Sequence, residues 1–301
     1  MQLQSDIKIE EYNVVPQKIS EKELKQKSLL LSLSIFQDEL ESAIIDLEAH
    51  SVYTSSIYAS SQRKFSNNEL TFLLNDFIHR YHLQSLSFKS IQIIHSSPHF
   101  TLCPAEFYLP EHKRDLLQFV HPLSSDEIIL TNDFESIKIL YAIPQSLHNN
   151  LLQIFPSARF FHSSTSMLYI LFFHPLLQHS KLWIHLHPNY IEVIAKDQKQ
   201  FLFYNTFDTK TSLDVLYYIL FVIEQLKFSP KETVVYISGN ISLKHSIIQL
   251  LQKYLHSVQI LNHHPKLHIL PLNSSLLTHH HFITLNHHLC ASYQENTKAE
   301  S

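Results

Sequence analysis

The sequence predicts an α/β protein that contains the same βββαβαβ unit twice. Strand-like apolar runs come in groups of three, at 29–58 and again at 181–205. After each group come a helical pattern, a strand, a second helical pattern and a further strand. The connectors within each group have hairpin length, so we expect the three strands of a group to be antiparallel.

In the first half, LLLSLSIF alternates leucine with serine, as a half-buried strand does. Ser66 and Glu69 match a capping box, which predicts the start of a helix. A strand at 90–95 follows, and the segment 97–143 adds three strand-like runs that we interpret as an insertion. A helix at 146–155, the strand ARFFH and the apolar helix SMLYILFF complete this half.

In the second half, KLWIHL, YIEVIA and QFLFYN are the three strands. The next helix begins at Thr211, with Asp214 three residues later. Because this helix is apolar on nearly every side, we expect it to be covered on both sides, with Tyr217 and Tyr218 in the core. The strand TVVYIS then leads to Gly239, a helix at 242–255, the strand VQIL and a last helix-like stretch at 282–294.

This order of elements is that of the ribonuclease-H-like fold. Two tandem copies make the actin-like ATPase architecture, in which two lobes face each other across a cleft. The predicted organisation is a polar N-terminal lead-in, two lobes and a tail. Its boundaries are 1–28 for the lead-in, 29–178 for the first lobe with its insertion, 179–295 for the second lobe and 296–301 for the tail.

The composition excludes several classes of function. The net charge is -4 and no long basic cluster occurs, so no nucleic-acid partner is expected. The longest apolar run, 215–223, is much shorter than the roughly 20 residues of a membrane span, and the N-terminus lacks the blocks of a signal peptide. We therefore expect a cytoplasmic protein without membrane insertion. Two cysteines are too few for a disulfide framework or a cysteine zinc site.

Glycine and histidine are used in unusual amounts. Glycine occurs once, against an average near 7%, and histidine occurs 23 times. A mutational bias toward AT-rich codons and selection for metal binding both explain this usage. The histidine clusters at 263–268, 279–281 and 287–288 lack a His-x-x-x-His pair beside a carboxylate, so no metal ligand set is predicted. We expect many histidines of the chain to gain charge near pH 6, so that the charge balance becomes positive.

Several segments resemble an uncharacterised bacterial family. They are FTLCP at 100–104, FYNTFDTKTSLDVLYYILFVIEQL at 203–226, VYISGN at 235–240 and FITLNHHLCAS at 282–292. The family is called domain of unknown function 3822 and occurs largely in the Bacteroidetes. The resemblance implies an actin-like fold of unassigned function and supplies no catalytic residue. The family's last segment usually has a glycine where this chain has Asn286 or His287, which concerns the packing of the last helix.

The phosphate loops of the actin-like fold are degenerate in this sequence. Actin-like ATPases hold phosphates with a hairpin in each lobe, where an aspartate accompanies glycines of positive φ. The first hairpin, 34–39, retains Asp38 but has no glycine, and Phe36 would crowd a phosphate. The second, 185–189, contains Pro188, which has no amide proton. Losing three hydrogen bonds of about 1.5–3 kcal/mol each would weaken binding by roughly three to six powers of ten.

Five polar or turn residues are the candidates for a site in the cleft: Asp38, Asn205, Asp208, Gly239 and Asn240. We expect Asn205 and Asp208 in the turn before the apolar helix, where their side chains either point into the cleft or bond to local amides. Gly239 is either a turn residue with positive φ or the remnant of an adenosine site. We expect Gly239→Val to destabilise the fold. No catalytic residue, metal site or bound cofactor is predicted.

The predicted function is a non-catalytic actin-like scaffold or assembly protein with an unidentified protein partner. The comparison with the actin-like domains of bacterial secretion and pilus machines is one of fold alone. Formation of a homo-oligomer is compatible with this prediction. The alternative is a nucleotide-binding ATPase or kinase-like enzyme with a glycine-free cleft, and a metal-linked regulator is the third hypothesis.

Overall fold

The structure, a computed structural model, describes residues 7–12, 24–60, 65–178, 182–198, 200–241, 245–269 and 278–290 of the 301-residue chain. The chain divides after Ser166 into two compact units. Residues 266–269 also belong to the first unit, and residues 278–290 belong to the second. None of the helices in the described ranges has the length and apolar character that a membrane crossing needs.

The first unit is built on a seven-stranded sheet. Its strands are β1 (Ile7–Tyr12), β2 (Leu29–Ile35), β3 (Glu39–Asp46), β4 (Ser51–Ser60), β5 (Phe88–His95), β9 (Arg159–His162) and β15 (His268–Ile269). The order is β1-β4-β3-β2-β5-β9, with β15 also paired to β4. The strands β2, β3 and β4 are antiparallel, whereas β5 and β9 run parallel to β2.

Helices cover one face of this sheet. They are α1 (Asn67–Arg80) and α3 (Gln145–Ile154). A further helix, α4 (Ser163–Phe173), follows β9, and its residues from Met167 onward belong to the second unit. Helix α1 begins with the expected capping box, in which Glu69 N donates to Ser66 Oγ at 3.3 Å and Ser66 N donates to Glu69 Oε2 at 2.9 Å. The aliphatic side chains of β2 and β5 pack with those of α1 and α3 into one core. Burial of this apolar face provides the main driving force for folding of the unit.

The predicted insertion is a small antiparallel sheet. Its strands are β6 (Phe100–Pro104), β7 (Glu127–Phe134) and β8 (Ile137–Pro144), in the order β6-β8-β7. A short helix, α2 (Lys113–Gln118), contributes Leu117 to a separate core that also includes Cys103. The three strand-like runs predicted for this segment are therefore confirmed.

Part of the predicted lead-in is a strand. Residues 7–12 form β1, which pairs antiparallel with β4 from Ile7 opposite Ser60 to Tyr12 opposite Ser55. The polar composition of the segment gave no signal for this pairing, because a strand at a sheet edge is stabilised largely by its backbone hydrogen bonds.

The second unit repeats the order of the first. Its strands are β10 (Leu182–Leu186), β11 (Tyr190–Asp197), β12 (Gln200–Asp208), β13 (Val234–Gly239) and β14 (Ser257–Ile260). The order β12-β11-β10-β13-β14 matches β4-β3-β2-β5-β9 strand for strand. In both units the first three strands are antiparallel and the last two are parallel to the first. The predicted duplicated βββαβαβ fold is confirmed.

After its three antiparallel strands, the second unit contains the described helices α5 (Ser212–Gln225), α6 (His245–Leu251) and α7 (Phe282–Asn286). The helices α6 and α7 are shorter than predicted, and residues 242–244 and 291–294 of the predicted stretches lie outside the described residues. The capping box of α5 is present, with Asp214 N donating to Thr211 Oγ1 at 3.2 Å.

The prediction that α5 is covered on both sides is wrong. Leu213, Tyr217 and Phe221 are 66%, 63% and 42% exposed, whereas Ile219 is fully buried. The three exposed residues recur at every fourth position, so they form one stripe on the exposed side of the helix. We call Leu213, Tyr217 and Phe221 the α5 stripe. Tyr218 is half-buried and packs against the core.

Gly239, the single glycine of the chain, has a φ of +90° at the end of β13. A Cβ atom at this position would lie 2.3 Å from Leu186 O and 2.8 Å from Leu186 N. Both the backbone conformation and the close approach of β10 therefore require glycine. The turn interpretation of Gly239 is confirmed.

Four histidines of the second unit gather around the end of α4: His174, His263, His264 and His288. The ring of His264 lies 5.3 Å from that of His174 and 6.0 Å from that of His288. Leu176 N donates to His174 Nδ1 at 3.3 Å, so the proton of the neutral ring is on Nε2. This tautomer offers no free lone pair to a metal ion.

Burial, together with the neighbouring His264, His263 and His288, lowers the pKa of His174 to about 4. Burial also lowers the pKa of His263 and, with His280 beside it, that of His279. His174 is therefore an exception to the expectation that many histidines gain charge near pH 6, because protonation would place a charge in a fully buried position.

We expect Gly239→Val to lower the free energy of unfolding by at least about 2 kcal/mol, since a left-handed conformation costs a substituted residue about 1–2 kcal/mol before any clash. Thermal unfolding should show a melting temperature lower by roughly 5 °C or more. The neighbouring Asn240→Ala is the control. A melting temperature of Gly239→Val equal to that of the parent would contradict the strained-turn interpretation.

We expect His174 to make the protein less stable in mild acid. The pKa of His174 in the folded protein lies below the value of about 6.5 in unfolded chains. The contribution of the neutral ring to the free energy of unfolding is therefore complete above pH 6.5 and is lost as the pH falls toward 4. In urea titrations, His174→Asn should reduce this loss by up to about 1.4 kcal/mol per pH unit. The same replacement at the exposed His256 should leave the slope unchanged, and equal slopes for both variants would contradict the assignment.

Candidate functional site

The candidate site of each unit lies where the parallel strands end, because α/β sheets bind ligands at the carboxyl edge of such strands. In the first unit β2, β5 and β9 end there, and the turn 36–38 follows β2. In the second unit β10, β13 and β14 end there, and the turn 187–189 follows β10. These turns occupy the positions of the two predicted phosphate hairpins.

The first turn does not form an anion-binding nest. Phe36 N donates to Glu39 O at 2.8 Å, and Gln37 O accepts from Phe65 N at 2.7 Å. Among the described residues of positive φ, none lies in the turn 36–38. A nest needs successive amides that converge on one point, which alternating right- and left-handed residues provide. The side chain of Phe36 is half-buried instead.

A pocket of about 240 Å³ lies beside this turn. Its apolar wall includes Ile35, Phe36 and Leu147, and its polar side chains are Gln37, His95, Ser97, His99 and Glu127. Ligand pockets usually have volumes of about 300–1,000 Å³. This pocket of the first unit is therefore suited to a small molecule or a single side chain.

His95 gives the pocket a neutral hydrogen-bonding group. Its Nδ1 atom is buried without a hydrogen-bond partner, and burial together with the neighbouring His99 lowers its pKa to about 4. The ring stacks 6.4 Å from Tyr141, whose pKa is raised by burial. An uncharged imidazole of this kind can accept or donate one hydrogen bond but cannot balance a phosphate charge.

His162, behind His95, is held in one tautomer. Its Nε2 atom donates to Ser97 O at 3.0 Å, and its Nδ1 atom accepts from Ser164 N at 3.2 Å and lies 2.7 Å from Ser164 Oγ. Glu127 Oε2 accepts from Ser124 N at 2.8 Å. Both polar groups are thus engaged within the protein, and their geometry does not present a nucleophile beside a base.

The second turn also lacks a nest. His187 N donates to Tyr190 O at 3.0 Å, Pro188 has no amide proton, and none of the described residues of positive φ lies between 187 and 189. Gly239 N donates to the carbonyl of His279 at 2.6 Å. Asn240 N donates to the carbonyl of Leu186 at 2.8 Å. The amides expected at an adenosine site are therefore bonded within the protein.

A buried polar network lies on one face of the second sheet. His187 Nε2 lies 2.7 Å from Glu192 Oε1, and Tyr204 donates its hydroxyl proton to Glu192 Oε2. Ser238 Oγ accepts from Trp183 Nε1 at 2.9 Å and lies 2.8 Å from His185 Nδ1. Burial, with His187 and His280 nearby, lowers the pKa of His185 well below its usual value.

This network is a structural feature. Ser238 and His185 resemble a nucleophile and its base, but they are 0% and 2% exposed, so no substrate reaches them. Burial and the adjacent carboxylate of Glu192 raise the pKa of Tyr204, which keeps its hydroxyl a donor. The network was not predicted from the sequence, although polar residues alternate with aliphatic ones in KLWIHL and YIEVIA.

The five predicted site residues are placed as follows. Asp38 is half-buried in the first turn, Gly239 is buried, and Asn240 is half-buried after β13. The prediction that Asn205 and Asp208 lie in a turn is wrong, because both belong to β12, opposite Val193 and Tyr190 of β11. The ladder of β11 continues through FYNTFD, and its backbone hydrogen bonds outweigh the turn preference of Asn and Asp. Both side chains are exposed, and Asn205 Oδ1 accepts from Thr206 N at 2.9 Å.

Solved structures share this fold. A protein of actin-like ATPase fold and unknown function from Bacteroides thetaiotaomicron is similar over 81% of this chain and 94% of that chain, with 24% identity and a TM-score of 0.66. An inorganic polyphosphate/ATP-glucomannokinase from Arthrobacter sp. strain KM is similar over 89% and 99%, with 9% identity and a TM-score of 0.51. At these identities the likeness shows the fold alone. No curated protein is similar in sequence.

The family resemblance seen in the sequence is confirmed over most of the chain. Residues 16–258 match the family described as protein of unknown function (DUF3822), and the chain therefore belongs to this family.

Proposed function

We propose that this protein is a non-catalytic, cytoplasmic member of the actin-like fold that acts as a scaffold or assembly partner for another protein. The observation that carries the proposal is the geometry of the two turns, 36–38 and 187–189. Neither contains a described residue of positive φ, and neither offers converging amides to a phosphate. Turns that do not converge their amides on one point thus stand where an actin-like ATPase has its phosphate-binding loops.

The energetic consequence is large. Each hydrogen bond to a charged phosphate contributes about 1.5–3 kcal/mol. Without three of them, a micromolar nucleotide site would weaken to roughly millimolar or beyond. Asp38 remains as an acidic group at the first turn. Without a phosphate cradle, however, this carboxylate does not hold a triphosphate or its metal ion in place.

The side-chain chemistry of each unit supports the same proposal. The pocket beside Phe36 holds an uncharged imidazole, and its volume of about 240 Å³ is small for a nucleotide. The serine and histidine that lie close together in the second unit, Ser238 and His185, are fully enclosed. These arrangements suit a protein that has kept the packing of the fold without its chemistry.

The alternative is a nucleotide-binding ATPase or kinase-like enzyme whose site uses non-glycine backbone. The pocket at the first turn is the observation in its favour, because it lies where the fold would place a phosphate hairpin. A kinase shares the fold, but its activity belongs to that protein. Binding of Mg·ATP distinguishes the two functions.

We expect no heat of binding when Mg·ATP is titrated into the protein up to about 1 mM, because both phosphate cradles are missing. A known actin-like ATPase measured in the same buffer serves as the positive control. Saturable binding at low-micromolar concentration would contradict the proposal. If that binding disappeared in Asp38→Ala but persisted in the β12 variant Asn205→Ala, it would place the nucleotide at the first turn.

The scaffold function itself is tested by affinity capture of the full chain from its native cells. We expect a defined protein partner to be recovered equally well with Mg·ATP and after nucleotide depletion. Recovery that depends on Mg·ATP would favour the nucleotide-binding alternative.

A further inference from the structure

Strand β12 is an edge of the second sheet as the described residues form it. It has nine residues and, within the described ranges, its only strand partner is β11. The corresponding strand of the first sheet, β4, pairs on its outer side with β1 in antiparallel register. The same position of the duplicated fold is therefore covered by a strand in the first unit, whereas in the second unit no strand of the described ranges covers it.

The sequence of β12 lacks the features that usually protect a sheet edge. Natural edges carry lysine, proline or an inward-pointing charge that discourages strand addition. From Gln200 to Phe207 the strand contains no charged residue and no proline, and Asp208 is its last residue. The one bulge lies near its start, between Ala195 and Lys196 of β11, and leaves 203–208 in regular register.

A row of aromatic rings joins this edge to the α5 stripe. The centroids of Phe203 and Phe207 are 6.4 Å apart, and those of Phe207 and Tyr218 are 4.5 Å apart. The row continues from Tyr218 to Tyr217 at 5.3 Å and on to Phe221 at 6.3 Å. Tyr217 and Phe221 are exposed, so the row forms an apolar surface beside this edge.

We propose that β12 pairs antiparallel with β12 of a second copy of this chain, with the two-fold axis at Asn205. The segment 203–207 has phenylalanine at both ends, two residues before and two residues after Asn205. An antiparallel pair centred on Asn205 therefore places Phe203 opposite Phe207 of the partner subunit, and a two-fold axis does so twice. Opposed aromatic pairs stabilise such a ladder.

The charge of β12 and the apolar area beside it are both compatible with pairing to a second copy of the chain. No charged residue of 200–207 would face a like charge, so self-pairing carries no electrostatic penalty. Aromatic side chains bury about 150–250 Å² each, so the exposed fractions of the α5 stripe offer roughly 300 Å² per copy. A standard interface buries about 800 Å² per partner, so the edge of β12 would have to bury about 500 Å² in addition. This proposal does not depend on whether a nucleotide binds.

Sedimentation equilibrium of the full chain, without nucleotide, tests the proposal. We expect a monomer of 35.3 kDa in reversible equilibrium with a dimer. The double variant Tyr217→Lys with Phe221→Lys should weaken the dimer by at least about 30-fold, as loss of a central aromatic contact does. The matched control is Phe107→Lys with Phe119→Lys, which adds the same charge at exposed aromatic positions of the first unit.

Two results would overturn the proposal. One is a wild-type protein that remains monomeric up to about 200 µM, which would leave the edge to a different partner. The other is a dimer that both double variants weaken equally. Melting temperatures of the variants check that the substitutions, all at exposed positions, leave the fold intact.

A cross-link tests the register. In an antiparallel pair, opposed Cα atoms lie about 4.5–5.5 Å apart, within the range of a disulfide. We expect Asn205→Cys to form a disulfide-linked dimer under mild oxidation, since the native Cys103 and Cys290 are buried. The control is Gln259→Cys on β14, the exposed opposite edge of the same sheet. A wild-type dimer without this cross-link, or equal cross-linking of both variants, would overturn the proposed pairing.

Discussion

Each unit is organised around one central strand that is hydrogen-bonded on both sides and buried on both faces. In the first unit this strand is β2, between β3 and β5, and in the second it is β10, between β11 and β13. All seven residues of β2 and all five of β10 are buried. Any polar side chain on such a strand must find its partner inside the protein.

The two units meet this constraint at the same position. Ser34 of β2 lies opposite Glu41, and His185 of β10 lies opposite Glu192, and all four side chains are buried. In the second unit the carboxylate of Glu192 is satisfied by His187 and by a tyrosine of β12. The duplication therefore extends beyond strand order to the placement of a buried glutamate beside the central strand. Such networks fix a unique packing, because an unmatched polar group in the core is costly.

The scarcity of glycine links the fold to its proposed loss of chemistry. The one glycine is kept where a Cβ atom would collide with the backbone of Leu186. The turns 36–38 and 187–189 close without left-handed residues, whereas His50, Glu135 and Gln198 in other strand–strand turns have positive φ. A turn that only has to connect two strands tolerates phenylalanine or proline, whereas a phosphate cradle does not. The glycine retained by this chain thus serves packing, and the positions that would serve phosphate binding are occupied by other residues.

The sequence alone determined the fold class, the duplicated order of elements, the capping boxes of α1 and α5, and the turn at Gly239. These features depend on local periodicity and on backbone conformation, which a sequence states directly. Which elements cover each other was decided only by the tertiary structure. The stripe on α5 is exposed because this helix has one partner face, Asn205 and Asp208 lie in a strand because β11 continues beside them, and β1 pairs with a distant edge. Apolar composition and turn preference are properties of a local segment. They carry no information about which distant segments of the chain will pack or pair beside it.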